Sequence, residues 1–246
     1  MKKEATRTKR QQHMAKKSRT KPTSLTSSYP PTTKKPSTTA STASSKEKVY
    51  TAHKGVNAEL IRNVCNLYVK DGDVVADVTY GKGAFWKATD TDRFNLKASD
   101  ILTCKDAPYD LTDLPYDNAS LDHFVLDPPY MHTPSKPMVD KRYRNSETTL
   151  AMYHGDIMAK LYAGGMIEAR RTLKNRGMLW VKCQDEIQSS KQVWSHIELY
   201  NMALAFGFYA KDMFVLLSNS QPPVQAKQQH ARRNHSYLWI FEKKPQ

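Results

Sequence analysis

The sequence predicts an α/β sandwich built around a mostly parallel sheet. Apolar, strand-like runs at 74–78, 121–126 and 178–183 alternate with helical patterns at 57–70, about 148–174 and 191–206. Two of these strands run straight into turns that carry chemistry, Thr79-Tyr80-Gly81-Lys82-Gly83 and Asp127-Pro128-Pro129-Tyr130. Two β-rich segments near the end, 208–217 and 236–241, are joined by the polar connection 218–235 rather than by a helix. An antiparallel pair at the sheet edge is expected from such a connection.

The 246 residues leave room for one domain of ordinary size plus a tail. The formal charge of +14 is concentrated at the start: residues 1–48 carry a net +11, and residues 49–246 only +3. Lys, Arg, Thr, Ser and Pro dominate the first 48 residues, and large aliphatic side chains are nearly missing. Such a segment buries too little apolar surface to offset its ordering entropy, so a disordered basic tail is expected ahead of a domain at 49–246. A polybasic arm suits phosphates, and nucleic acid is the partner it implies. Cys65, Cys104 and Cys183 show neither a CxxC nor a metal-ligand spacing, which points to small buried side chains in a reducing compartment. No apolar run approaches the roughly 18–20 residues of a membrane span, so a soluble, cytoplasmic protein is expected. Monomer and homodimer are both left open.

Within the domain, Asn57 to Lys70 places apolar residues at 60, 61, 64, 65, 67 and 68, a helical stripe with Asn57 as its N-cap. Asp71-Gly72-Asp73 turns the chain into the first buried strand, which ends at Asp77 and Val78. Glycines at 81 and 83 permit a tight turn and a close approach by a ligand, and a helix is expected to open there. Residues 94–99 alternate apolar and polar and lead into Asp100, 23 positions after Asp77. An acid at that interval, at the tip of the next strand, is placed to accept from ribose hydroxyls.

The run Phe124 to Leu126 supplies a further strand, and Pro128-Pro129 stops it, because neither proline has an N–H for a ladder. Asp127 and Tyr130 are thereby projected into the crevice at the carboxyl end of the sheet. A carboxylate, a carbonyl and an aromatic ring together suit a planar base held by its exocyclic amine. Residues 131–145 are basic, with Lys136, Lys141, Arg142 and Arg144 able to clamp phosphates around an extruded nucleotide. In the long helical pattern, Gly164-Gly165 is expected to weaken the helix by roughly 1 kcal/mol per glycine.

Asp127-Pro128-Pro129-Tyr130 resembles the [DNS]-PP-[YFW] signature of the S-adenosylmethionine-dependent amino-methyltransferases that act on adenine N6 or cytosine N4. Asp77, Gly81 and Gly83 resemble the Asp-x-x-x-Gly-x-Gly of their first motif, and together the likeness spans nearly all of 49–246. It implies the class I, Rossmann-like methyltransferase sandwich, with seven strands and an antiparallel last one. It implies S-adenosyl-L-methionine as cofactor, held by Asp77, Thr79, Gly81, Gly83, Asp100, Asp110, Leu111 and Lys54. Asp113 competes with Asp110 for the adenine amine. It also implies the catalytic set Asp127, Pro128, Pro129 and Tyr130: the base is flipped out, its ring stacks on Tyr130, and Asp127 and the Pro128 carbonyl accept the amine's hydrogens. DNA, with adenine N6 ahead of cytosine N4, is the expected substrate. The alternatives are an RNA base-amine methyltransferase, a protein glutamine methyltransferase and a non-enzymatic nucleic-acid-binding protein. The first motif precedes the second by only 44 positions with no added recognition domain, a departure that argues against strong sequence specificity. The chain lacks G-x-x-x-x-G-K-[ST], G-x-S-x-G and HExxH, and its eight histidines are scattered, so no metal is expected.

Overall fold

A computed structural model of the chain describes residues 48–129, 153–218, 228–231 and 233–245. The basic tail up to residue 47, Tyr130, the four basic residues Lys136, Lys141, Arg142 and Arg144, and most of the 218–235 connection lie outside the described residues. None of the described helices is long and apolar enough to cross a membrane.

The strands are β1 (Ala52–Lys54), β2 (Val74–Asp77), β3 (Asn95–Ala98), β4 (Leu121–Leu126), β5 (Leu173–Cys183), β6 (Glu186–Gln188), β7 (Lys191–Val193), β8 (Phe208–Leu217) and β9 (His235–Lys243). Seven of them form one sheet in the order β1-β8-β9-β5-β4-β2-β3, while β6 and β7 form a separate hairpin. Every neighbouring pair in the main sheet is parallel except those made by β9, which is antiparallel to β5 and to β8. This is the mostly parallel seven-stranded sandwich with an antiparallel last strand that the sequence predicts.

Three details differ from expectation. The β8–β9 pair is antiparallel but internal, because β1 adds alongside β8 and takes the edge. At the other edge β3 is the last strand among the described residues, where the segment 109–117 that resembles an adenine-binding stretch forms only an isolated bridge between Asp110 and Asp113. The seventh strand of the sheet is therefore β1, a three-residue edge strand too short to show a period. Third, the helical pattern at 191–206 begins late. Ser189 and Ser190 both adopt positive φ, +49° and +60°. Two such residues in succession make the tight turn of a hairpin, so 191–193 pair as β7 and α4 spans only Ser195–Ala205.

Helix α1 (Asn57–Tyr68) starts one residue earlier than an Asn57 cap would give. Val56 is the N-cap, and its N–H donates to the Glu59 carboxylate at 3.4 Å. Leu60, Ile61, Val64 and Cys65 of α1 pack with Val75, Val125, Trp180, Leu238 and Ile240 on one face of the sheet. On the other face, α2 (His154–Asp156) continues through π-helical turns at Ile157–Tyr162 into α3 (Ala163–Thr172), which packs with α4 against Phe124, Leu126, Leu179 and Phe241. Strand alternation sorts the two cores: Val125 and Trp180 face α1, while Leu126 and Val181 face α3.

The glycine pair in α3 has a packing reason. A Cβ at Gly165 would lie 2.8 Å from Leu126 Cδ1, and one at Gly164 would lie 2.5 Å from Thr112 Cγ2. Small residues here let the helix press onto β4 immediately below the Asp-Pro-Pro turn. The loop before β4 is fixed to the same helix. Glu168 accepts from the Leu114 N–H at 2.9 Å, and Arg171 donates to the carbonyls of Leu114 and Tyr116 at 2.9 and 2.6 Å while pairing with Glu168.

Arg171→Ala is therefore expected to cost about 2 kcal/mol at pH 7, since Glu168 and two carbonyls lose their donor. Arg171 holds the Glu168 carboxyl below its usual range. A carboxyl depressed by folding adds stability that is present above its unfolded value and lost as pH falls through its folded one. The penalty should accordingly shrink below about pH 4, which urea titrations of both proteins at neutral and acid pH would read. An equal penalty at both pH values would rule out the ion pair as its source.

Candidate active site

The carboxyl ends of β2, β3 and β4 lie side by side and carry three of the predicted acids. Asp77 ends β2 and is buried, at 2 % exposure. Its Oδ1 accepts from the Thr79 N–H and hydroxyl at 3.1 and 3.3 Å, and its Oδ2 accepts from Trp86 Nε1–H at 2.8 Å. Asp77 thus braces the turn that follows it. Burial pushes its carboxyl up to about 7, against the lowering effect of these bonds, with the neighbouring Asp127 charge adding to the rise.

Thr79 joins the two motifs. Its hydroxyl oxygen also accepts from the Asp127 backbone N–H at 2.8 Å, so one side chain connects the end of β2 to the end of β4.

The glycine turn is tight, with φ of +55° at Gly81 and +67° at Gly83. The Tyr80 ring covers Gly83, where a Cβ would come within 2.5 Å of the Tyr80 hydroxyl oxygen. The turn leads into a three-residue 3-10 helix, Ala84–Trp86, instead of a full α-helix. Trp86 explains the truncation: its ring turns inward, donates to Asp77 and stacks on Trp180 with centroids 6.5 Å apart.

Asp100 lies just past β3. It accepts from the Gly81 N–H at 3.1 Å and from the N–H groups of Leu102 and Thr103 at 2.9 and 2.8 Å. Thr103 donates back to the Gly81 carbonyl at 2.7 Å. The pair clips the glycine turn to the end of β3. A carboxylate takes about four hydrogen bonds, so one lone pair of Asp100 is left over.

Asp127 is half-buried, and its Oδ1 is sealed from solvent without a hydrogen-bond partner among the described residues. Burial raises its carboxyl to about 6, and the Lys182 ammonium opposes that rise. Pro128 is buried and Pro129 exposed.

Other predicted residues sit apart. Asp110 is exposed, its Oδ1 accepting from the Thr112 N–H and hydroxyl at 2.9 and 2.8 Å. Asp113, its competitor, is exposed as well. Leu111 is half-buried against the α3 core. Lys54 ends β1, and four strands separate it from β2. Among the described residues no group of His, Cys, Asp or Glu is arranged to hold a metal ion.

Sequence reading passed over Lys182. It lies on β5 at 2 % exposure, with Nζ donating to Ser236 Oγ at 2.6 Å. A lone lysine inside the apolar run Met178 to Cys183 was the available signal, because a strand buried on both faces has no free place for a charge. Beyond it, the buried Asp185 meets His196 Nδ1 at 2.7 Å and accepts from the Tyr237 hydroxyl at 3.3 Å, tying the start of α4 to β9.

No protein-family model matches the chain, and no curated protein matches it. Solved structures resemble it in fold. A 1,6-didemethyltoxoflavin-N1-methyltransferase from Burkholderia thailandensis is 11% identical with a TM-score of 0.49, covering 77% of this chain and 79% of its own. A SAM-dependent methyltransferase from Methanosarcina mazei is 9% identical with a TM-score of 0.42, covering 74% and 98%. TrmN from Thermus thermophilus is 15% identical with a TM-score of 0.43, covering 75% and 48%. These likenesses concern backbone architecture, and the chemistry has to come from the residues themselves.

Proposed function

We propose that the protein transfers a methyl group from S-adenosyl-L-methionine to the exocyclic amine of a flipped base, with adenine N6 of DNA as its first substrate. The observation that carries this reading is the sealed, unpartnered Oδ1 of Asp127, held one threonine away from the glycine turn. A buried acceptor left without a donor costs stability, and a base amine placed there would supply the donor.

The residues fit the cofactor. The glycine turn lies at the sheet's carboxyl edge and is open at Gly81, where a Cβ would meet nothing nearer than the Thr79 carbonyl at 4.0 Å, and Asp100 keeps a lone pair for a ribose hydroxyl beside it. Asp77 and Thr79 hold that turn's shape. Bound there, S-adenosylmethionine would supply an electrophilic methyl group. Asp127 and the Pro128 carbonyl accept the amine's hydrogens and so aim the nitrogen lone pair, while Tyr130 is the stacking partner for the ring. Orientation and exclusion of water provide most of the acceleration. The basic tail and Lys136, Lys141, Arg142 and Arg144 follow the phosphates in this reading.

A tritiated-methyl transfer assay on duplex DNA, single-stranded DNA and RNA, run beside Asp127→Ala and read by mass spectrometry, tests the proposal. Label as N6-methyladenine in DNA, lost in the variant, is the expected result. Label in RNA alone would move the substrate to RNA. No label, together with no cofactor binding in calorimetry, would overturn the enzymatic reading. The pH profile gives a second check. Protonation would give Asp127 an O–H donor where the amine needs an acceptor, so kcat/KM should fall about tenfold per unit below a limb near 6.

A further inference from the structure

We propose that Lys182 is a positioning residue that acts through Asp127: its buried ammonium, anchored by Ser236, keeps Asp127 an acceptor in a place where solvation no longer does so. The inference rests on the base-amine reading of the site and deepens it.

The geometry is that of neighbouring parallel strands. Val181 of β5 pairs with Leu126 of β4, so the next residue on each strand, Lys182 and Asp127, follows in the same register. Leu126 and Val181 both face α3 and α4. Alternation then turns Asp127 and Lys182 to the opposite face, the one that holds Val125 and Trp180. Asp77 follows Ala76 and Ser236 precedes Leu238 by two, which puts both on that face as well. The carboxyl edge of the sheet therefore carries a row of Asp77, Asp127, Lys182 and Ser236 on a single face.

An ammonium has three donors, and among the described residues Lys182 uses one of them, on Ser236. Asp127 has one sealed oxygen with no donor among the described residues. A buried lysine is tolerated when an opposite charge or a hydrogen-bonding network accompanies it; burial lowers the Lys182 pKa, and the Asp127 carboxylate on the adjacent strand opposes that drop. Tyr162 supports the arrangement from below by donating to the Lys182 carbonyl at 2.9 Å. The ionisable groups around Asp127 are Asp77 on β2, whose charge disfavours a second carboxylate, and Lys182 on β5, whose charge favours it. Cys183 is held protonated by burial, and Ser236 on β9 is neutral.

The test reads the Asp127 carboxyl directly. Carbon-13 spectra of aspartate-labelled full-length protein, with Asp127→Asn to assign the resonance, would be titrated for wild type, Lys182→Met and Ser236→Ala. Loss of the ammonium should move the Asp127 midpoint upward by about one unit, and Ser236→Ala should move it in the same direction by less. The acid limb of kcat/KM should follow the midpoint, a response that a purely packing role would not produce. An unmoved midpoint in Lys182→Met overturns the proposal, and should that variant fail to fold, an unmoved midpoint in Ser236→Ala does so. The resonance is independent of turnover, so an enzyme with no transfer activity would sink the functional reading while leaving this measurement to decide the role of Lys182.

Discussion

Replacing Asp127 with alanine is expected to lower kcat/KM for methyl transfer by about a hundred- to a thousand-fold and, in the same protein, to make its stability rise relative to wild type as pH climbs from 5 to 8. The first effect follows from losing the acceptor that orients the amine. The second follows from the cost of ionising a buried carboxyl, one oxygen of which is sealed and has no partner among the described residues. The backbone bond from Asp127 N–H to Thr79 does not involve the side chain and survives the change. The pH trend follows from the raised carboxyl, displaced from 3.8 to about 6. A carboxyl raised by folding contributes stability that is full below its unfolded value and is lost as pH rises through the folded one. Wild type should therefore lose ground to Asp127→Ala between about pH 4 and pH 7 and lose no more above it. Steady-state kinetics together with urea unfolding at pH 5 and pH 8 would read both effects. A stability gap between the two proteins that is the same at pH 5 and pH 8 would mean that folding does not raise the Asp127 carboxyl.

The sheet was legible in the sequence because its central strands are buried on both faces, and unbroken runs such as Val74-Val75-Ala76 and Phe124-Val125-Leu126 have few other homes. The two turns were legible for a different reason. Positive φ at Gly81 and Gly83 and the two prolines after Asp127 restrict the backbone whatever surrounds them. Partners across the fold were not legible. The spacing of Asp77 from the glycines identifies the turn, but the indole that donates to it comes from Trp86, whose ring direction depends on its stack with Trp180. Asp100 reads as a ribose ligand on interval alone, yet most of its lone pairs serve the loop that places it. The Ser189–Ser190 turn escaped because serine rarely takes positive φ, and Ala52–Lys54 escaped because three residues at a sheet edge carry no pattern. Gly164-Gly165 was visible as a helix-weakening pair, whereas its reason, the approach of α3 to Leu126, belongs to tertiary packing.

Asp77→Asn should separate bracing from ligand contact at the first motif. The amide keeps an oxygen for Thr79 but turns an NH2 group towards the Trp86 N–H, setting donor against donor in a buried site, at a cost of about 2 kcal/mol. Trp86→Phe removes the indole N–H and part of the stack on Trp180, at a cost of about 2–3 kcal/mol. In the double variant the opposed donors are gone, so its loss should fall short of the sum by about 1 kcal/mol or more. Additivity within about 0.5 kcal/mol would dismiss the strut. Proton linkage adds an independent signature. The Asp77 carboxyl is raised to about 7, first by burial, so wild type loses stability as pH climbs through that value, whereas asparagine does not titrate. The penalty of Asp77→Asn should thus be greatest below about pH 4, shrink as pH rises towards 7 and level off above it. Because Thr79 retains its acceptor and continues to hold the Asp127 N–H, cofactor affinity should change by less than about tenfold, the equivalent of 1.4 kcal/mol. An isotherm weakened far beyond that, with no rescue by Trp86→Phe, would instead make Asp77 a direct ligand of the cofactor.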